Sequence, residues 1–267
     1  MHAAAIRMSA LPRSSRSAAG ALRRYAASLG SRDPRTVGIS SLAAAFLLSV
    51  TAFAHLAEDY LTGDPIVRWD VRFALWLHEH GSHPLVRVFD VVTLAGNSVV
   101  LVVAVAAIGL ILLRRARPNE AAVIALAFGG AALVNSMLKL AFQRPRPELA
   151  FIHLDTYSFP SGHAAVSAAT FTTIAYLLGL RYRSAAARVL IGLGTATAIA
   201  LVGFSRLYLG AHYLSDVLAG ISFGFAWAML SLLAYTLWDD RNVLELLPGR
   251  LRRVLARLGA EPPQSSP

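Results

Sequence analysis

Six long apolar runs constrain this sequence more than anything else in it: Val37 to Ala57, Ser98 to Leu113, Ala121 to Phe142, His163 to Leu180, Val189 to Phe204 and Tyr213 to Trp238. A helix needs about 20 apolar residues to cross the hydrocarbon of a bilayer. Hydrocarbon offers the backbone no hydrogen-bond partner, so only helices or closed barrels can span it. The runs therefore predict an all-α polytopic membrane protein with six transmembrane helices, the second and fifth reaching somewhat into their loops. Bulk composition agrees: 267 residues that are 56% hydrophobic and 15% charged are too apolar for a soluble domain of that length. With 0 cysteines, disulfides and thiolate metal sites are excluded.

The rest of the chain divides around those runs. Residues 1–36 read as a basic cytoplasmic tail, 37–238 as the six-span domain and 239–267 as a basic amphipathic cytoplasmic tail resting on anionic headgroups. A targeting reading of the first tail is weakened because no apolar stretch directly follows the Arg23-Arg24 pair. Between the first two runs, residues 58–97 carry Ile66, Val67, Val71, Ala74, Leu75 and Leu77 at helical spacing, the pattern of a short helix on the membrane surface. His78, His80 and His83 nearby read as surface-loop residues, not metal ligands.

The net charge of +10 raises nucleic acid as a partner, but the arginines flank the apolar runs, where they mark the cytoplasmic ends of membrane helices instead. With the N-terminus inside, 18 of the 25 basic residues fall on the inner side, and the even number of spans puts both tails there. The lipid bilayer is the expected partner, and nucleic acid is not. Among the seven remaining basic residues, Lys139, Arg144, Arg146 and Arg206 gather at outer helix ends.

Three outer segments hold the polar groups that hydropathy leaves unexplained: KLAFQRPRP from Lys139, FPSGH from Phe159, and SRLYLGAHYLSD from Ser205. Lys139, one turn from the end of its span, either snorkels to the headgroups or faces a polar cavity. Pro145 and Pro147 stop that helix and turn Arg144 and Arg146 back over its end. Pro160 is placed to open the fourth span, leaving the Ser161 and Gly162 amides at a positive helix terminus, an arrangement that suits phosphate but also serves as an ordinary helix start. His163 follows directly. His212 and Asp216, four apart, would share a helical face, with the carboxylate fixing the imidazole tautomer either for nucleophilic work or for structure alone. Ser205 and Arg206 would add a hydroxyl and a guanidinium to the same pocket.

Together the segments read Lys-x6-Arg-Pro, Pro-Ser-Gly-His and Ser-Arg-x5-His-x3-Asp, and every fixed position is filled. This resembles the signature of the type-2 phosphatidic acid phosphatase (PAP2) superfamily, which is similar at its active site to bacterial acid phosphatases and vanadium haloperoxidases. The resemblance covers roughly residues 58 to 238 and implies a haloperoxidase-like helical core. It also implies roles: His212 as nucleophile forming a phosphohistidine, Asp216 orienting it, and His163 as general acid and then base. Lys139, Arg146, Ser161, Gly162, Ser205 and Arg206 would bind the phosphate. No metal and no cofactor are implied. The expected activity is phosphate removal, outside the cytoplasm of a bacterial plasma membrane, from a lipid phosphate or pyrophosphate such as phosphatidic acid, phosphatidylglycerophosphate or polyprenyl pyrophosphate. The alternatives are a lipid phosphotransferase with the same site and a non-catalytic lipid transporter; oligomeric state leaves no trace in the sequence.

Overall fold

A computed structural model describes residues 34–63, 65–148 and 156–238. The two tails, His153 and Asp155 lie outside the described residues, except for the first helical turns after Pro34. Contacts divide the chain into Met1–Ser41 and Leu42–Pro267. The described part of the first unit is the opening of one helix, and all packing below belongs to the second.

Among the described residues the fold is all-helical. The helices are α1 (Pro34–Thr62), α2 (Pro65–Glu79), α3 (His83–Val92), a 3-10 turn (Thr93–Gly96), α4 (Ser98–Arg114), α5 (Pro118–Phe142), α6 (Gly162–Gly179), α7 (Ala185–Tyr208) and α8 (Leu214–Leu237). Each of the six apolar runs is a helix. Four of them, α1, α5, α7 and α8, are long and apolar enough by themselves to cross a membrane, and α3 with its 3-10 turn and α4 form a fifth candidate bent by 44°. The bend falls at Asn97, whose side chain accepts from Val99 N at 2.9 Å and so caps α4.

Six spans were expected, and α6 accounts for the difference. It has 18 residues and carries Ser167, Thr170, Thr172 and Thr173, which lower its apolarity. Residues 164–170 are buried without interruption, so the first half of α6 is enclosed by protein instead of facing lipid. The outer faces of the other helices are apolar and uncovered, as at Leu48 (73% exposed), Val99 (72%) and Leu190 (69%). Such continuous apolar exposure suits hydrocarbon and not water. The chain is an integral membrane protein.

Small residues set how closely α6 meets α8. A Cβ at Gly220 would lie 2.5 Å from Ser161 O, and one at Gly224 would lie 2.3 Å from Ala165 O. The Gly220-x3-Gly224 spacing thus lets the α8 backbone press onto α6, the usual way membrane helices gain dispersion contact. Trp227 Nε1 donates to Leu126 O at 3.0 Å and ties α8 to α5.

Connectivity places the loops at two ends. At one end Arg181, which follows α6, pairs with Glu120 at the start of α5. Leu42, Leu112, Val123, Leu177 and Leu232 form the nearby core. At the other end α2 and α3 cover the bundle. Ser82 N donates to Tyr208 Oη at 2.9 Å, and Phe89 lies 4.6 Å from the Tyr208 ring. The surface helix expected before the second run is α2. The helix α3 was not expected, and His78, His80 and His83 flank the α2–α3 junction, with His80 stacked on Trp76 at 4.9 Å.

Candidate active site

The end of the bundle under α2 and α3 gathers the C-termini of α5 and α7 and the N-termini of α6 and α8, and with them the three polar segments. Helix α5 closes on Gln143 in the left-handed region (φ 48°), whose amide donates to Lys139 O at 3.0 Å. The stop therefore comes two residues before Pro145, and the chain that follows folds back over the helix end.

Three cations meet there. Lys139 Nζ donates to the carbonyls of Tyr157 and, at 3.4 Å, Ser158. Arg146 donates to Thr156 O at 2.6 Å, Thr156 Oγ1 at 2.8 Å and Ala211 O at 2.6 Å. Arg206, buried at the end of α7, donates to Thr93 Oγ1 at 2.9 Å. These partners are neutral oxygens, and among the described residues no ion pair reaches any of the three. Their charges reinforce one another in a small partly desolvated space, which demands an anion.

Two buried polar atoms with no hydrogen bond among the described residues sit among these cations, Ser161 Oγ and Arg206 Nε. Buried polar groups are nearly always satisfied, so clustered orphans signal a missing ligand. Ser161 caps α6 without using its hydroxyl, and its amide donates to Asp216 O at 2.9 Å. Of the two amides expected to face a ligand, one is thus already engaged, and the helix begins at Gly162, two residues later than Pro160 suggested. A Cβ on Gly162 would stand 3.2 Å from Asn135 Nδ2 and 3.9 Å from Lys139 Cε, so glycine keeps this helix terminus open to the lysine. His163 is within electrostatic reach of Arg206, His212, Arg146 and Lys139.

His212 is nearly fully buried and precedes α8 instead of lying on it, since Tyr213 is the N-cap. The shared helical face expected for His212 and Asp216 is therefore absent. The two meet across the cap, Nδ1 to Oδ2 at 3.5 Å, which is long for a hydrogen bond. Arg146 Nη1 stands 3.3 Å from His212 Nε2. A guanidinium only donates, so Nε2 presents its lone pair, and the proton of the neutral ring is on Nδ1, towards Asp216. Burial first, and then Lys139, Arg146 and Arg206, hold the His212 pKa well below 6.5, which keeps the ring neutral.

Asp216 has other partners. It accepts from Arg144 Nη1 at 2.6 Å, from Tyr213 N at 2.9 Å and from the Ser158 hydroxyl. As the third residue of α8 it also completes an N-terminal cap. Ser205 is buried, but its hydroxyl donates to Val202 O at 2.6 Å within α7, so it is not free for a ligand in the way expected. Sequence reasoning did not place Arg144, Asp70, Ser158 or Thr93 in or behind the site. The site is thus a cationic pocket with a neutral histidine lone pair beside a second histidine, suited to displacement at a phosphorus atom.

The profile of the PAP2 superfamily matches residues 120–240. A phosphatidylglycerophosphatase B of Bacillus subtilis is 40% identical over 102 residues, 37% of this chain and 50% of that protein; the chain thus spans half the length of that relative. An uncharacterized 22.5 kDa protein in the cps region of Klebsiella pneumoniae is 34% identical over 145 residues, 54% of this chain and 68% of that protein. Among solved structures, the first transmembrane PAP2-type phosphatidylglycerolphosphate phosphatase from Bacillus subtilis aligns with a TM-score of 0.62 and 27% identity, covering 72% of this chain and 94% of that one.

Proposed function

The chain belongs to the PAP2 superfamily, and from that premise we propose that it is a membrane phosphatase that hydrolyses a lipid phosphate or pyrophosphate through a phosphohistidine on His212. The observation that carries this reading is the set of three cations, Lys139, Arg146 and Arg206, which bond to neutral groups among the described residues and gather about His212.

A phosphate entering the pocket replaces Arg146 in front of Nε2 and receives donors from all three cations, Ser161 Oγ and the Gly162 amide. Nε2 attacks phosphorus as the bond to the lipid oxygen breaks, and His163 supplies the proton to that oxygen. Asp216 faces the Nδ1 proton and offsets the positive charge that the ring gains. In the second half, water attacks the phosphorus, His163 takes its proton, and the P–N bond breaks to restore His212 and release inorganic phosphate. The pocket's cations supply the charge stabilisation that usually dominates such catalysis.

In this reading residues 37–238 form a catalytic domain that crosses a bacterial plasma membrane six times, through α1, α4, α5, α6, α7 and α8. The arginines of the α4–α5 and α6–α7 loops lie at the end opposite the site, which supports an inner location for them and an extracytoplasmic site. Phosphatidylglycerophosphate leads the substrate candidates because the Bacillus subtilis matches, by sequence and by structure, are named for it. Phosphatidic acid and polyprenyl pyrophosphate share the terminal phosphate that the pocket recognises.

The test offers the detergent-purified protein, with EDTA, each of these three lipids. Wild type should release one inorganic phosphate per lipid consumed, and His212→Ala none. Equal release by the variant, or none by wild type from any lipid, overturns the reading. Lipid loss without matching phosphate would make the enzyme a transferase.

A further inference from the structure

Arg144 has the opposite situation from the three open cations. Nη2 donates to Asp70 Oδ2 at 2.8 Å, and Nη1 donates to Asp216 Oδ1 at 2.6 Å and Ser215 Oγ at 2.7 Å. The guanidinium carbon also lies over the rings of Tyr60, at 4.8 Å, and Tyr213, at 4.5 Å. Arg144 is 3% exposed, Asp70 1% and Asp216 0%. Both terminal nitrogens are committed and the residue is buried, so this arginine is not placed to bind phosphate. Asp70, from α2, is held in turn by the Ser215 amide at 2.9 Å and the Ser215 hydroxyl. The result is a carboxylate–guanidinium–carboxylate chain running from the surface helix to the residue beside His212.

Such a chain is a poor way to gain stability, because desolvating three charges costs about as much as their attraction returns. Its value lies in orientation. With Oδ1 of Asp216 fixed by Arg144, Oδ2 is left to face Ser158, Tyr213 N and His212 Nδ1. Burial opposes the charge on Arg144, but Asp216 and Asp70 outweigh it, and the guanidinium pKa lies above its ordinary value.

We propose that Arg144, anchored by Asp70, is a positioning residue that sets the orientation and charge of Asp216 and through it the nucleophile His212, so that α2 is part of the catalytic apparatus. This rests on the phosphatase reading.

The test uses the full chain in detergent, with p-nitrophenyl phosphate and a lipid phosphate as substrates and a thermal melt as the measure of folding. Arg144→Gln alone strands two buried carboxylates and can fail to fold. Asp70→Asn with Arg144→Gln keeps the net charge of the wild-type network and is the informative variant. It should fold and lose about 10- to 100-fold in kcat with KM changed less than about threefold, the usual scale for a lost supporting contact. Arg144→Lys, which keeps the charge without the fork, should recover part of kcat. If the double variant does not fold, Asp70→Asn alone carries the test and should lose about tenfold in kcat. A folded variant with wild-type kcat, or a loss confined to KM, overturns the proposal while active wild type and inactive His212→Ala leave the phosphatase reading intact. Inactive wild type, or active His212→Ala, overturns both.

Discussion

Arg146 Nη1 lies in hydrogen-bond contact with His212 Nε2 at 3.3 Å, and the same nitrogen donates to Ala211 O at 2.6 Å. A phosphate that draws the guanidinium to itself therefore frees the Nε2 lone pair and gains a donor in one movement. Arg146→Gln should lower kcat/KM by about 10²- to 10³-fold, the cost of one lost donor to a charged transition state. Steady-state kinetics on a lipid phosphate checks this, and a loss below about fivefold would contradict it.

The same contact has a consequence for pH. The neutral imidazole is the reactive form, and burial and then the cations hold its pKa below 6.5. Activity should therefore persist as pH falls through 6.5 and be lost only below it. Arg146→Gln removes one of those cations, so its acid limb should move up towards 6.5. Profiles of kcat/KM against pH for both proteins measure the shift, and an unmoved or lowered limb contradicts the account.

The two serines of the signature should behave differently. Ser161 Oγ is buried without a partner, whereas the Ser205 hydroxyl is engaged with Val202 O. Ser161→Ala should cost about tenfold in kcat/KM and almost nothing in stability, since no existing bond is lost. Ser205→Ala should leave kcat/KM within about threefold. Equal kinetic losses would remove the distinction.

Close packing gives a third contrast. Gly224→Ala forces a methyl against Ala165 O and should lower stability by about 1–3 kcal/mol without changing kcat of the folded fraction. Gly220→Ala pushes on Ser161 O itself, so it should reduce both stability and kcat. Melting curves read beside turnover separate the two.

Sidedness can be read by labelling, because the chain has 0 cysteines. His80→Cys lies at the site end and Tyr182→Cys in the α6–α7 loop at the other. In intact cells an impermeant maleimide should label His80→Cys, and should label Tyr182→Cys only after permeabilisation. The reverse pattern would invert the proposed topology.

What the sequence revealed follows from where charge is costly. Lys139, Arg146, His163, Arg206 and His212 stand at helix ends otherwise rich in apolar residues, so hydropathy draws attention to them, and the likeness of their segments to the PAP2 signature supplied their expected roles. Asp70 does not stand out, because α2 is amphipathic and one more acid on it looks like a solvated face. Arg144 could be placed no further than over the end of its helix, where loop polarity alone explains it, and only the fold shows it held between two carboxylates. Helix α3 was read as loop, although Ser82 followed by Pro84 has the form of a helix start. The low apolarity of α6 has a related reason: its first half is enclosed by its neighbours, so it can hold hydroxyls that a lipid-facing stretch could not.

Turnover through His212 requires that its imidazole become phosphorylated. Rapid quench at alkaline pH, followed by mass spectrometry of the protein after reaction with p-nitrophenyl phosphate, tests this most directly. His163→Ala suits the experiment, since that leaving group needs little protonation and the water-activating base is gone. The account predicts an acid-labile phosphate on His212 that builds up in this variant and is absent when His212→Ala is added. Phosphate on another residue, or none while p-nitrophenol is still released, would contradict it.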